Sequence, residues 1–379
     1  MQLAADAVLD RRLLRGSPRP LAVALSGGGD SLALLLIADD WVRRSGRSLL
    51  VMTIDHQLRR ESTAWTQACA TTAQRLGLPF QALTWTGDKP QAGLPAAARA
   101  ARHALLADAA REAGARVVLM GHTADDVLEA GLMRAAGSTT PDPREWSPSP
   151  VWPQGRSLFL LRPLLGVRRG EIRKWLTARG ETWIDDPANE DATYARPRAR
   201  TAVARGAMPV TPATLASAKA LALICKPDDH GGLEIDQADL AAATPDTAAR
   251  FISAACLCAA GTDRPPSRDK IARLLSRLTT RSPFVATLAG ARIEADRDRV
   301  RFRREPGEAS RGGLTALRLA PGATGVWDGR FEITAAQAVE VRAQNRSAAP
   351  SLAADDGVAI TLAYPRLLAA CGAIEREPA

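Results

Sequence analysis

Residues 21–37 read LAVALSGGGDSLALLLI, two apolar runs joined by three glycines, an aspartate and a serine. The first run, 21–25, is continuous rather than alternating, as in a strand buried on both faces. The second opens a helix expected over about 31–44. Glycines between a strand and a helix let backbone N–H groups converge at the positive end of the helix, which has the physics of an anion site, although a plain strand-to-helix turn with an acid at the helix start would also use two of them. Ser26, Gly27, Gly28, Gly29, Asp30 and Ser31 form that turn. It lacks the lysine of the GxxxxGK[ST] loop and the third, helical glycine of the GxGxxG fingerprint.

Working outward, apolar runs at 49–54 and 117–120 read as further buried parallel strands, with helical patterns at about 61–76 and 95–113 between them. This alternation predicts an α/β fold whose parallel sheet is covered by helices on both faces, with ligands at the carboxyl ends of the strands. Polar residues stand at those ends: Ser26 after the first strand, Asp55 and His56 after the second, Gly121 and His122 after the run at 117–120.

Composition narrows the class of protein. The 379 residues, 46% of them apolar, suffice for two or three domains with cores, and a net charge of +9 suggests a polyanionic partner. Five scattered cysteines, at 69, 225, 256, 258 and 371, fit reduced thiols in a cytoplasmic protein, and Cys256 with Cys258 reads as core, not as a metal site. The N-terminus carries no targeting pattern and no apolar run spans a bilayer, so a cytoplasmic protein without a membrane partner is expected.

Three further segments carry motifs: IDHQLRRES at 54–62, GHTADDVLEAGLMR at 121–134 and DPANEDATYARPRAR at 186–200. With SGGGDS they resemble, in order, the SGGxDS, DHxLR, GHxxDDxxET and DPxNxDxxYxRxRxR motifs of tRNA(Ile)-lysidine synthetases, of the PP-loop ATP pyrophosphatase superfamily. The resemblance covers roughly residues 20–205. It implies a Rossmann-like fold of the adenine nucleotide α-hydrolase type and ATP cleavage between the α and β phosphates with Mg²⁺. The implied substrates are ATP, free L-lysine and an isoleucine tRNA with a CAU anticodon; no stable protein partner is implied. ATP would adenylate the C2 carbonyl oxygen of the wobble cytidine, and the lysine ε-amine would then displace AMP to leave lysidine.

On that resemblance, residues 26–31 with Asp55, His56, Gly121 and His122 would hold ATP, and Asp30 and Asp126 the metal. Asp30, Asp125, Asp126 and Glu129 would be catalytic. The last three form an acidic cluster able to bind metal, attract the lysine ammonium or accept its proton, with Glu129 favoured for the ammonium. Arg59, Arg99, Arg102, Arg134, Arg196, Arg198 and Arg200 would contact substrate. Without the resemblance, Asp125 and Asp126 also suit an acid-rich first helical turn. The chain departs from the family at Ala130, which replaces a threonine, at RAAGSTT (134–140) and at Pro197.

Domains are expected at 1–205 (catalytic), 206–282 (helical, tRNA-contacting) and 283–379 (a small α+β region with a basic hairpin). Thr244 and Pro245 open one helix of the second region and Ser267 another. In ARIEADRDRVRFRREP (291–306), Val300 and Phe302 should face a core, while Arg299, Arg301 and Arg303 form an open row that is either a solvated strand face or, better suited to a row without interleaved acids, a contact for a tRNA backbone. VWDGRFEIT (326–334) predicts a hairpin turning at Asp328-Gly329. Two rival functions remain. A PP-loop tRNA thiolase would need a cysteine pair near the site, where only Cys69 occurs; a passive AMP-binding module would not need the acidic cluster.

Overall fold

The structure is a computed structural model that describes residues 1–59, 61–90, 92–138, 143–185, 195–208, 217–307, 314–344 and 349–378. The chain divides into two compact units, Met1–Thr214 with Glu375–Ala379, and Leu215–Ile374.

In the first unit the elements run α1 (Gln2–Arg12), β1 (Leu21–Ala24), α2 (Gly29–Ser45), β2 (Leu49–Asp55), α3 (Ser62–Arg75), β3 (Phe80–Thr84), α4 (Leu94–Glu112), β4 (Val117–Leu119), α5 (Ala124–Ala135), β5 (Trp146–Pro148), β6 (Phe159–Leu161), α6 (Arg169–Thr177) and α7 (Ala195–Ala204). The sheet has the order β3-β2-β1-β4-β6-β5 and is parallel except for β5. β1, β2 and β4 lie where the continuous apolar runs predict. The chain winds outward through β2 and β3 on one side of β1, then crosses to β4 on the other. The loops leaving β1 and β4 therefore part at a topological switch point, where open α/β sheets bind their ligands.

α2 is apolar on nearly every face because it is enclosed. Leu32 through Leu35, Ile37, Ala38 and Trp41 are all buried between the sheet, α1 and α6. At the far end of this helix the chain's last residues return. Glu377 accepts hydrogen bonds from both terminal nitrogens of Arg47 and from the Leu14 N–H, while its own N–H donates to the Arg12 carbonyl. The two charged side chains are 0% exposed. Removing one partner of such a buried pair costs about 3–5 kcal/mol, because the other charge is left without compensation.

The second unit continues with α8 (Lys219–Ile224), β7 (Lys226–Pro227), β8 (Leu233–Asp236), α9 (Gln237–Ala242), α10 (Pro245–Ala260), α11 (Arg268–Thr279), β9 (Phe284–Leu288), β10 (Ala291–Ala295) and β11 (Arg299–Arg304). There follow β12 (Leu317–Leu319), β13 (Thr324–Trp327), β14 (Phe331–Ala335), β15 (Val339–Gln344), β16 (Ala349–Ser351), β17 (Gly357–Thr361) and α12 (Ala363–Cys371). α10 is capped by the Thr244 hydroxyl, which accepts from the Thr247 N–H, and starts at Pro245 as the sequence suggests. Its buried face packs on the antiparallel sheet β7-β8-β11-β10-β9, with Phe251 edge-on to Phe302 at 6.1 Å. Asp328 and Gly329 both have positive φ, 50° and 64°, as a two-residue hairpin between β13 and β14 demands.

Val300 and Phe302 are buried, but the row of arginines beside them is not bare. Arg299 and Arg301 share Glu234 of β8, Arg301 also reaches Asp296, and Arg303 lies 3.4 Å from Glu294 and 3.5 Å from Asp228. Acids that one strand's sequence cannot show are supplied across the sheet. This corrects the expected open basic face to a locally balanced one. All five cysteines are free and buried, with burial pushing the Cys258 thiol up to about 12. Among the described residues no helix is long and apolar enough to cross a membrane.

Candidate active site

The glycine turn is knitted together by Ser31. Its hydroxyl accepts from the Ser26 N–H at 3.1 Å and donates to the Gly28 carbonyl at 2.9 Å, so this side chain shapes the loop from within. Gly27 has φ of 82°, and its carbonyl accepts from the Ile184 N–H. The first N–H groups of α2 have no acceptor within their own helix and lie at its positive end. From across the switch point, Gly121 presses on this turn. A Cβ there would stand 3.0 Å from the backbone nitrogen of Ser31, so the loop after β4 approaches this closely only because its second residue is glycine.

α5 starts just beyond and carries three carboxylates inward. Asp126 Oδ2 accepts from both the backbone N–H and the hydroxyl of Thr123 at 2.7 Å, closing the first turn. Its Oδ1 accepts from Arg196. Glu129, one turn on and 1% exposed, meets Arg169 at 3.0 Å, Arg196 at 3.1 Å and Arg200 at 3.2 Å. Asp125 pairs with Arg168 and accepts the Arg169 backbone N–H at 2.7 Å, which joins the start of α6 to α5. Asp30, at the start of α2, meets Arg169 Nε at 3.0 Å. The structure thus gathers Asp30, Asp125, Asp126 and Glu129 around arginines from α6 and α7.

Burial and the arginines pull these carboxyls in opposite directions. Burial pushes the Asp30 carboxyl above its usual range in spite of Arg169. Burial also works to raise Asp125 and Asp126, but their arginine partners hold both below the ordinary carboxylate range. A basic wall lies behind the acids. Arg102 and Arg162 are pushed down to about 10, chiefly by burial and also by neighbouring guanidiniums, and burial lowers Arg99 in the same way. The Arg102 Nε is buried without a hydrogen-bond partner. Arg162 Nε donates to His122 Nδ1 at 3.1 Å, which leaves the imidazole proton on Nε2; burial and Arg162 drive its pKa down to about 3.

The other expected residues are placed as follows. Asp55 ends β2, and its carboxylate accepts from the Gln57 N–H; His56, beside it, stands edge-on to Trp85. Arg59 is exposed in the following turn, and Arg134 lies in the last turn of α5. Arg196 and Arg200, four apart on α7, face the acids, whereas the intervening Arg198 is exposed. Pro197 lies in the first turn of that helix, where an N–H has no intrahelical acceptor, so the ring is accommodated. Arg299, Arg301 and Arg303 belong to the other unit. Residues 186–194 of the fourth motif, with Arg60, Thr139 and Thr140, fall outside the described residues.

Thr123, Arg162, Arg168 and Arg169 are parts of the site that the motifs do not single out. Arg162 had a signal, since it follows the apolar run of β6 just as Ser26 follows that of β1. Arg168 and Arg169 had none, because only tertiary packing brings α6 against α5.

Comparison with known proteins places the chain in a family. The family model described as the PP-loop domain matches residues 4–207. The tRNA(Ile)-lysidine synthase of Caulobacter vibrioides is 51% identical over 359 residues, covering 95% of this chain and 85% of that protein. That of Hyphomonas neptunium is 35% identical over 333 residues, covering 84% and 89% respectively. Among solved structures, the U34-tRNA thiolase NcsA from Methanococcus maripaludis aligns with 54% of this chain and 76% of its own, at 14% identity and a TM-score of 0.43. By its PP-loop domain and its identity to these synthases over nearly its whole length, the chain belongs to the tRNA(Ile)-lysidine synthase family.

Proposed function

We propose that this enzyme ligates L-lysine to C2 of the wobble cytidine in an isoleucine tRNA with a CAU anticodon, through an adenylated tRNA. The observation that carries this reading is the SGGGDS turn, set at the switch point against an acid–arginine cluster, in a chain of this family. In the first step the C2 carbonyl oxygen attacks the α-phosphorus of ATP and pyrophosphate leaves. In the second the lysine ε-amine, having lost its proton, attacks C2, and AMP departs with the oxygen.

The turn and the start of α2 supply N–H donors for the phosphates. Arg99, Arg102 and Arg162 offer positive charge with few acids beside it, suited to ATP or tRNA phosphate. Asp30 and Asp126 present hard carboxylate oxygens to one shared cation, Arg169, and that donor set fits Mg²⁺, which pairs one or two carboxylates with substrate phosphates. Among the described residues no group of three or more His, Cys, Asp or Glu is arranged to hold a metal, so the phosphates would complete the shell. Bound there, Mg²⁺ would neutralise charge on the phosphates as the α–β bond breaks. Thiolation is disfavoured, since Cys69 is buried in α3 with its thiol pushed up by burial.

The test is incubation with ATP, Mg²⁺, radiolabelled lysine and isoleucine tRNA, followed by nucleoside analysis. Label is expected in one modified cytidine, and pyrophosphate release should require tRNA and be lost in Asp30→Ala. Label elsewhere, or retained pyrophosphate release in a folded Asp30→Ala protein, overturns the reading.

A further inference from the structure

The guanidinium of Arg169 occupies the place between the two carboxylates assigned above to the metal. Its Nε lies 3.0 Å from Asp30 Oδ2, its Nη2 3.6 Å from Asp126 Oδ2 and its Nη1 3.0 Å from Glu129 Oε1, with the side chain 15% exposed. Nothing local to α6 favours this cation, because Arg169 is the first residue of the helix, where the macrodipole repels positive charge. Its position is imposed from α5. Asp125 accepts the Arg169 backbone N–H and pairs with Arg168, fixing the start of α6 so that the next side chain reaches into the acids.

We propose that Arg169 is a positioning residue that stands in for the divalent cation between Asp30 and Asp126 while nucleotide is absent, so that metal enters only with ATP. The proposal rests on the reading that Asp30 and Asp126 carry the metal. Two carboxylates held together without a cation repel each other and form a ready site for free Mg²⁺. A guanidinium bonded to Asp30 and within ion-pair reach of Asp126, whose oxygens also accept from Thr123 and Arg196, places positive charge between the two and excludes the bare ion. Its bonds to Asp30 and Glu129 come from different nitrogens, so the Nε could leave Asp30 with Nη1 still held by Glu129. Metal arriving on a triphosphate brings further contacts to the glycine turn, which the bare ion lacks. The arrangement selects a metal–nucleotide complex over its parts.

The experiment is a titration with Mn²⁺, followed by electron paramagnetic resonance, on the full chain without nucleotide. Wild type is expected to bind weakly and Arg169→Gln at least about tenfold more tightly, a gain that adding Asp30→Asn should abolish. Equal affinity in wild type and a folded Arg169→Gln protein overturns the proposal. Should that variant not fold, Arg169→Lys, which keeps the charge but lacks the planar fork, is expected to bind Mn²⁺ about threefold more tightly than wild type. Equality there also overturns it. A second arm adds α,β-methylene-ATP to wild type and to Asp30→Asn. If Mn²⁺ recruited by the nucleotide ignores Asp30, the metal assignment fails; if it depends on Asp30 while Arg169→Gln gains nothing, only the role of Arg169 fails.

Discussion

Gly121 touches the backbone of Ser31: a Cβ on the glycine would lie 3.0 Å from both the nitrogen and the Cα of the serine. The contact joins the ends of β1 and β4, and neither backbone has a flexible side chain to yield. Gly121→Ala should therefore push the loops apart, costing about 1–3 kcal/mol as overpacking does. ATP-dependent pyrophosphate release should fall with it. Thermal unfolding and a pyrophosphate assay on the same preparation check both; an unchanged midpoint would mean the loops part without strain.

Glu129 is expected to act through the arginines it holds. With three guanidiniums against a carboxylate that is 1% exposed, an incoming ammonium has little access to it. Glu129→Gln keeps the volume but leaves those charges poorly compensated, so stability should drop by about 3 kcal/mol. Adenylation and lysine transfer should slow together, by about 10–100-fold, as when groups that orient a site are removed. Accumulation of adenylated tRNA in this variant would instead assign Glu129 to the lysine step.

The buried histidines give stability a defined pH dependence. Burial drives His103 and His122 down to about 3, so each is neutral in the fold and would take up a proton on unfolding below its ordinary value near 6.5. The unfolded chain binds more protons in that window, so stability is full above about pH 6.5 and is lost as pH falls toward 3. Asp30, with its raised carboxyl, works weakly the other way. Urea unfolding between pH 5 and 7 should show a slope of about two protons from His103 and His122, with a smaller part from His56, which burial also lowers, and His103→Phe should remove about one of them.

Salt dependence will tell the two sets of arginines apart. The Arg299, Arg301 and Arg303 charges are met by Glu234, Asp296, Glu294 and Asp228, whereas the Nε of Arg102 has no partner. Replacing Arg99 and Arg102 by alanine should lower the salt slope of tRNA affinity by about 0.7 for each phosphate that is no longer neutralised. The triple alanine variant on β11 should change it less. Filter binding across a range of KCl concentrations decides, and the reverse order would restore the strand as the main partner of the tRNA backbone.

The sheet and its loops were legible because burial on both faces writes itself as unbroken apolar runs, and the strand-end rule then located Ser26, Asp55 and Gly121. Asp30, Asp125, Asp126 and Glu129 were legible as acids beside glycine turns. Their partners were not. Arg169 reaches Asp30 from 139 positions away and Glu129 from 40, through the packing of α6, and no periodicity reports such a meeting. Of the acids beside the β11 arginines, Glu234 and Asp228 come from outside the hairpin and could not be read from it, whereas Glu294 and Asp296 stand in that hairpin and alternation alone did not show that they lie opposite.

Arg47 and Glu377 are 330 positions apart, and that separation becomes a delay during synthesis. The sheet, α2 and Arg47 leave the ribosome early, yet the carboxylate that meets the guanidinium is made some 330 residues later. At about 5–20 residues per second, translation leaves Arg47 without its partner for roughly 15–65 s. Until Glu377 is made, the Arg47 guanidinium beyond α2 is without its carboxylate and is hydrated instead. Pulse proteolysis of ribosome-stalled chains, each extended by a flexible linker long enough to fill the exit tunnel, should find residues 12–20 and 47 open to cleavage in chains cut short of Glu377 and protected in those that include it.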